Sequence, residues 1–123
     1  MARFRLSLLA QADVAQILDT SAELWGSQGR RRYETLLAAG MRKVAAEPEG
    51  PMTRDRSDLS RGIRSLHLRH ARVDAAETKV RRPVHVLYYR VIRWRVVEIV
   101  RVLHERTEPS RHIETDQKGG PPL

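Results

Sequence analysis

Two apolar runs in the C-terminal half of the chain constrain the fold more than any other feature. The first spans residues 88–91 and the second residues 96–104, and both are rich in β-branched and aromatic side chains. Only Ile92, Arg93, Trp94 and Arg95 separate them, so the runs are too short for two helices and predict an antiparallel β-hairpin. Residues 92–95 include no Gly, Asn or Asp, which disfavours a tight two-residue turn of the mirror-image type.

The second run is apolar on both sides. Alternation along a strand places Val97, Ile99 and Leu103 on one face and Val96, Val100 and Val102 on the other. A strand of this kind needs cover on both faces, so we expect it in the interior of a sheet rather than at its edge.

Length and composition limit the remaining possibilities. A chain of 123 residues suits one domain, predicted over residues 1–117, with a disordered tail at 118–123. Because cysteine is absent, disulfides and thiolate metal sites are excluded, and the five histidines do not show the spacing of a strong metal site. We therefore predict no cofactor. The N-terminal residues form neither a signal peptide nor a membrane span, which predicts a cytoplasmic protein.

The charge balance favours an anionic partner. Lys and Arg number 23 against 15 Asp and Glu, which gives a net charge of +8. Such a surface attracts nucleic acid, an acidic protein or both, although arginine-rich composition can also reflect a genome rich in G and C. The run Arg30-Arg31-Arg32 is open to the same two interpretations, a solvated helix surface or a contact to an acidic partner.

The N-terminal half predicts a strand and two helices. Phe4, Leu6 and Leu8 alternate with polar residues as in a half-buried strand, and Ser7 is a suitable helix N-cap. Apolar residues then recur at helical spacing up to Gly26, and again from Ser27 to the residue before Pro48. The short connection predicts an antiparallel helical hairpin.

The middle of the chain predicts a loop at 49–58 anchored by Leu59, a strand at 63–69, and an extended loop at 70–82. Residues 105–113 predict a short C-terminal turn that docks Ile113. The expected fold class is α+β in the order β-α-α-β-β-β, with the helical hairpin on one face of an antiparallel sheet.

Several short segments occur in a characteristic order and spacing: Leu6-Ser7, Ala10, Ala12-Asp13-Val14, Trp25-Gly26, Tyr33, Pro48, Asp58-Leu59, Gly62-Ile63-Arg64-Ser65, Tyr89-Arg90-Val91, the run from Val97 to Arg106, Pro109 and Arg111-His112-Ile113. Together they resemble the RelE/ParE superfamily of type II toxin–antitoxin toxins, and the ParE branch, often called plasmid stabilisation protein, more closely. The resemblance covers residues 3–113.

The resemblance implies a toxin that arrests growth and is neutralised by a ParD-like antitoxin in a hetero-oligomer. Such an antitoxin lays its C-terminal segment along the helices and sheet, and a basic domain suits an acidic, partly disordered partner. We expect antitoxin contacts at Leu18, Trp25, Tyr33 and Leu37. Trp25 and Tyr33 can equally be ordinary core aromatics.

Two mechanisms are open to the free toxin. ParE-like toxins poison DNA gyrase without cutting anything themselves, whereas RelE-like toxins cleave messenger RNA on the ribosome. Cleavage needs cations beside an acid or base, and the candidate catalytic residues are Arg64, Arg90, Arg101, His104 and Arg106.

His104 also fits a packed structural histidine. In many RelE-like enzymes the segment after this position carries a Tyr or Lys that acts as the acid or base. Here that segment has no Tyr, and its one Lys is Lys118 in the tail, which favours the non-enzymatic mechanism. Direct nucleic-acid binding stays open, and a third possibility is a toxin-derived scaffold that has lost its activity.

Overall fold

The computed structural model describes residues 2–72, 80 and 82–113. These residues form one five-stranded sheet and one long helix that packs on it. In chain order these are β1 (Arg3–Leu6), α1 (Leu8–Ala46), β2 (Arg54–Asp55), β3 (Arg64–His67), β4 (His85–Arg93) and β5 (Val96–His104), with short 3-10 turns at Leu68–Ala71 and Pro109–Arg111. Most of the predicted loop at 70–82, and the whole predicted tail at 118–123 with Lys118, lie outside the described residues.

The sheet is mixed, so the predicted all-antiparallel sheet is wrong. Its strand order is β1-β5-β4-β3-β2, and β1 runs parallel to β5 with Phe4 opposite Val97. The remaining pairs are antiparallel. Alternation reveals which face of a strand is buried, but it does not reveal which strand lies beside it or in which direction. The two-residue strand β2 lies inside the segment predicted as a loop.

The predicted antiparallel helical hairpin is also wrong, because residues 8–46 form one helical element with a kink. Gly26 alone departs from helical geometry, at φ 73° and ψ −176°, and the helix resumes at once. The kink brings Arg30 Nη1 within 3.3 Å of Asp19 Oδ1, although eleven residues of straight helix would rise about 16 Å. The sequence predicts a helix stop at Gly26 and a new N-cap at Ser27. In the structure the helical element changes direction at Gly26 and continues to Ala46.

The main core lies between α1 and the sheet. It includes the fully buried Leu36, Val44, Leu87, Tyr89 and Ile99. Helix and sheet approach closely at Gly40, where an added Cβ would lie 2.7 Å from Leu68 Cδ2 and 3.1 Å from Leu87 Cδ1.

A smaller cluster covers part of the opposite face of the sheet. It contains Leu59, Ile63, Tyr88, Leu103 and Ile113. The predicted anchoring of Leu59 and docking of Ile113 are confirmed, since both are about 4% exposed.

β5 is an interior strand, as predicted, because it pairs with β1 on one side and β4 on the other. A bulge interrupts its alternation: Tyr89 pairs with Ile99 and Tyr88 with Arg101, which leaves Val100 without a partner on β4. Val102 consequently joins Val97 and Ile99 in the main core. The predicted placement of Val102 on the opposite face is therefore wrong, as is the placement of Leu103 on the same face as Val97 and Ile99.

The β4–β5 loop has two residues, Trp94 and Arg95, between the paired Arg93 and Val96. Of these two only Arg95 has a positive φ, 60°, so the turn is not of the mirror-image type in which both residues do.

We expect Gly26→Ala to lower the free energy of unfolding by about 1–3 kcal/mol. The φ and ψ of Gly26 lie in a region that is essentially restricted to glycine, whereas no atom lies within 4 Å of an added Cβ, so the cost comes from the backbone alone. Urea denaturation measures it, with Gln28→Ala on the same exposed segment as control. Equal stability of the two variants would contradict a strained kink.

Candidate functional site

A cavity of about 1000 Å³ opens between α1 and the C-terminal end of β5. One wall is the helix from Asp13 through the kink to Tyr33, and the other is formed by His85 and residues 101–104. The lining combines apolar side chains such as Ile17 and Val102 with acid, base and guanidinium groups. This combination is typical of a binding site.

Asp13 and Arg101 form an ion pair in the lining of the cavity. Asp13 Oδ2 accepts from Arg101 Nε at 2.8 Å, and Oδ1 accepts from Nη2 at 2.9 Å. Both side chains are only about one-eighth exposed, at 12% and 14%. The same carboxylate accepts from Val102 N at 2.9 Å, and Arg101 Nη1 donates to His112 O at 3.0 Å. The guanidinium is therefore held in a two-pronged ion pair.

Tyr33 and His85 form a second polar pair in the lining of the cavity. The phenol oxygen lies 2.6 Å from His85 Nδ1 and accepts from Val84 N at 3.3 Å. Since the oxygen already accepts from the backbone, the arrangement in which Tyr33 donates to Nδ1 satisfies all three groups. His85 then carries its proton on Nε2.

Burial keeps both groups of this pair neutral at neutral pH. Burial, together with positive charge at His104 and His67, lowers the pKa of His85 to about 4, against smaller opposing contributions from Glu105 and Asp13. Burial likewise raises the pKa of Tyr33 to about 12, although hydrogen bonds from Val84 and His85 oppose the shift. Neither group is poised to exchange a proton near pH 7.

Two further histidines surround the pair. The His104 ring lies edge-on to His85 with centroids 5.7 Å apart, and its Nδ1 accepts from Arg106 N at 3.1 Å. His67 Nε2 lies 2.7 Å from Glu105 Oε1, and this hydrogen bond lowers the pKa of the Glu105 carboxyl.

The predicted catalytic residues do not converge. Of the five, Arg101 and His104 line the cavity. Arg64 donates to Pro48 O at 3.1 Å and to Thr53 Oγ1 at 2.9 Å, whereas Arg90 pairs with Glu98 at 3.7 Å. Arg106 is exposed and follows the end of β5. The five side chains therefore serve at least three separate parts of the surface.

The predicted antitoxin contacts also divide. Leu18 and Leu37 are 5% and 2% exposed and belong to the main core, so they are not available to a partner in this structure. Trp25 is 73% exposed at the rim of the cavity beside the kink, which excludes its reading as a core aromatic. Tyr33 is half-buried in the wall of the cavity.

The sequence did not reveal the two polar pairs. Asp13 and Arg101 are 88 residues apart in the chain, and local patterns do not indicate that they meet. Tyr33 and His85 are separated by 52 residues. The sequence offers one signal that Asp13 has a structural role, its position directly before the apolar Val14 of the predicted helix.

The comparisons with known proteins identify the family. The family model described as "ParE toxin of type II toxin-antitoxin system, parDE" matches residues 4–109. The chain belongs to the ParE toxin family. This confirms the resemblance to the ParE branch.

Two relatives and one solved structure agree with this ParE assignment. The chain is 28% identical over 111 residues to Toxin ParE1 of two Mycobacterium tuberculosis strains, CDC 1551 / Oshkosh and H37Rv, covering 90% of this chain and 97% of the relative in each case. It resembles the structure titled "Chromosomal ParDE TA system from P. aeruginosa" with a TM-score of 0.59 at 18% identity, over 85% of this chain and 95% of that one. The structural likeness supports the ParE fold.

In the described part of this ParE protein, no helix is both long and apolar enough to cross a bilayer. The same residues contain no group of three His, Asp or Glu side chains placed to hold a metal ion.

We expect the stability of this ParE protein to fall as the pH is lowered from about 6.5 to about 4 because of His85. Unfolded chain binds a proton at His85 below its ordinary pKa of 6.5, whereas the folded chain binds one only near pH 4, so protons favour unfolding in that window. His85→Gln should reduce this dependence, and the exposed His112→Gln should not. Urea denaturation at several pH values measures it, and equal pH slopes for the two variants would contradict a depressed pKa.

Proposed function

We propose that this ParE-family toxin is neutralised by a cognate ParD-like antitoxin and, when free, inhibits DNA gyrase without cutting nucleic acid itself. Family membership supports the antitoxin partner, and the Asp13–Arg101 ion pair is the observation that supports a non-enzymatic mechanism. A cation that stabilises phosphorane charge must be free to meet it. Arg101 instead has three of its donor contacts taken by Asp13 and His112.

The other polar pair supports the same conclusion. RNA cleavage through the 2′-hydroxyl requires a base and an acid with pKa values matched to the working pH. Tyr33 at about 12 and His85 at about 4 are both far from it. The pair fits a structural role, in which each polar group satisfies the other inside the cavity wall.

For the antitoxin we propose the cavity and its rim. The exposed Leu24 and Trp25 stand beside the kink, and Arg32 and Arg82 line the same opening. An acidic, amphipathic segment can place an apolar side chain into the cavity and pair its carboxylates with these arginines. The proposed contacts are thus Trp25, Tyr33 and their neighbours on the rim.

Cellular roles follow from this proposal. A gyrase inhibitor acts where the chromosome is, so the proposed location is the cytoplasm. Growth arrest on loss of a labile antitoxin would stabilise a plasmid or chromosomal segment that carries both genes.

We expect free toxin to inhibit supercoiling by purified gyrase and antitoxin to restore it. In a parallel translation reaction, transcripts should remain intact. Gel electrophoresis of relaxed plasmid incubated with gyrase, ATP and toxin measures the first, and primer extension on ribosome-bound messenger RNA measures the second.

Other results would contradict the gyrase proposal. Cleaved transcripts whose production is abolished by His104→Gln would establish the RelE-like ribonuclease instead. Full supercoiling with intact transcripts and no growth arrest on expression would indicate a scaffold without toxic activity.

We expect Trp25→Ala to weaken antitoxin binding by about 2 kcal/mol or more, because an exposed tryptophan on an apolar rim is the kind of side chain that dominates binding energy. Trp94→Ala is the matched control, since Trp94 is equally exposed, at 82% against 73%, but does not line the cavity. Isothermal titration calorimetry with the purified antitoxin measures both. Equal losses in the two variants would argue against the rim as the binding site.

A further inference from the structure

The turn end of β4 and β5 presents arginines on the face of the sheet away from α1. Phe4 and Leu6 pack into the main core, so alternation places Arg3 and Arg5 on the opposite face. By the same alternation Val97 and Ile99 face the helix and Glu98 faces away.

Strand pairing arranges these side chains in two rows. In one row Val96 lies between Arg3 and Arg93, its partners on β1 and β4. In the other, Glu98 lies between Arg5 and Arg90 in the same way. The rows are two residues apart, or about 7 Å.

This arginine face carries a large excess of positive charge. Glu98 is shared, at 3.4 Å from Arg5 and 3.7 Å from Arg90, so one carboxylate serves two guanidinium groups. Arg3 and Arg93 are exposed in the other row. Both ion pairs are partly open to solvent and leave donors available.

An exposed aromatic side chain stands at the edge of this face. Trp94 is 82% exposed, and the guanidinium carbon of Arg95 lies 4.6 Å from the centroid of its ring. Arg95 holds this position with a backbone φ of 60°, which is unfavourable for a residue with a side chain. The backbone O of Arg95 accepts from Arg3 N at 2.8 Å, which joins the turn to the arginine rows.

We propose that this arginine face and Trp94 form a binding site for single-stranded nucleic acid. The arginine rows contact successive phosphates, and an unpaired base stacks on the free face of the Trp94 indole. Proteins that bind single strands combine these two elements, a cationic surface that follows the backbone and aromatic rings on which bases stack.

The composition of the face favours nucleic acid over an acidic protein. Protein interfaces have an apolar core depleted of charge, whereas nucleic-acid interfaces are much more positive. The apolar member of the two rows is Val96, which is 7% exposed and already buried. What faces solvent is arginine and one indole.

The site is separate from the cavity. Neither Trp94 nor any of the arginines in the rows lines the cavity. The two sites lie at opposite ends of β5, whose nine residues span on the order of 30 Å.

Binding of a fluorescein-labelled thymidine 12-mer to the full-length toxin tests the proposal by fluorescence anisotropy. We expect Trp94→Ala to weaken binding about tenfold, the loss of one stacked base. The double variant Arg3→Gln, Arg93→Gln should reduce the slope of log affinity against log salt by about 1.4, two single-strand phosphate contacts. The control Arg31→Gln, Arg42→Gln removes the same charge from exposed positions of α1 and should leave the slope unchanged.

A second measurement tests stacking directly. In Trp25→Phe, Trp94 is the one remaining tryptophan of the chain, so its fluorescence reports on this site alone. The 12-mer should quench it, and the duplex of the same length, whose bases are already stacked, should not. Thermal unfolding of each variant shows that the fold is retained.

Three results would overturn the proposal. If the arginine-face variant and the control variant lose the same affinity and salt dependence, the 12-mer is bound through net charge and not through this face. Equal quenching by the duplex would exclude base stacking. Binding of polyglutamate that depends on Trp94, without binding of the 12-mer, would assign the face to an acidic protein.

Discussion

The structure depends on how the outer edge of β5 is completed after β1 ends. Pairing with β1 stops at Leu6 and Ile99, and the bulge at Val100 then leaves backbone groups that need partners. The helix supplies them. Ser7 Oγ donates to Val100 O at 2.8 Å and accepts from Ala10 N at 3.0 Å, so the predicted N-cap also closes the sheet edge. One turn further on, Asp13 accepts from Val102 N at 2.9 Å. The N-cap Ser7 and the helical Asp13 thus continue the pairing that a longer strand would otherwise provide.

This arrangement gives the acid, base and guanidinium groups that line the cavity partners within the fold. Arg101 neutralises the carboxylate that completes the sheet edge, and Tyr33 and His85 satisfy each other where the helix passes the end of β4. Of the residues that resemble a nuclease constellation in the sequence, Arg64, Arg90 and Arg101 each make a side-chain contact within the fold. Arg32, Arg82 and Trp25 remain exposed at the opening of the cavity, an arrangement that suits the proposed function by binding.

The sequence predicted the local elements better than their assembly. The strand at 96–104 and the Ser7 cap agree with the structure because periodicity and capping are local properties. The sequence did not predict three features that depend on contacts between distant residues. They are the parallel pairing of β1, the single kinked helical element across Gly26 and the bulge at Val100. The same limit applies to the site: Trp25 could be named as an aromatic anchor, whereas the buried positions of Leu18 and Leu37 follow from how α1 packs on the sheet. The Asp13–Arg101 contact was out of reach for the same reason.

The parallel pairing of β1 with β5 has a consequence for when the protein can fold. Residues 3–6 are synthesised before α1, whereas their partners at 96–99 are synthesised after it. Until then α1 has an incomplete sheet to cover, and neither the Ser7 nor the Asp13 contact to β5 can form. Such long-range pairing delays folding until β5 has been synthesised. A fragment of this ParE-family chain that ends before Val96 therefore cannot form the edge on which β1 pairs and α1 begins.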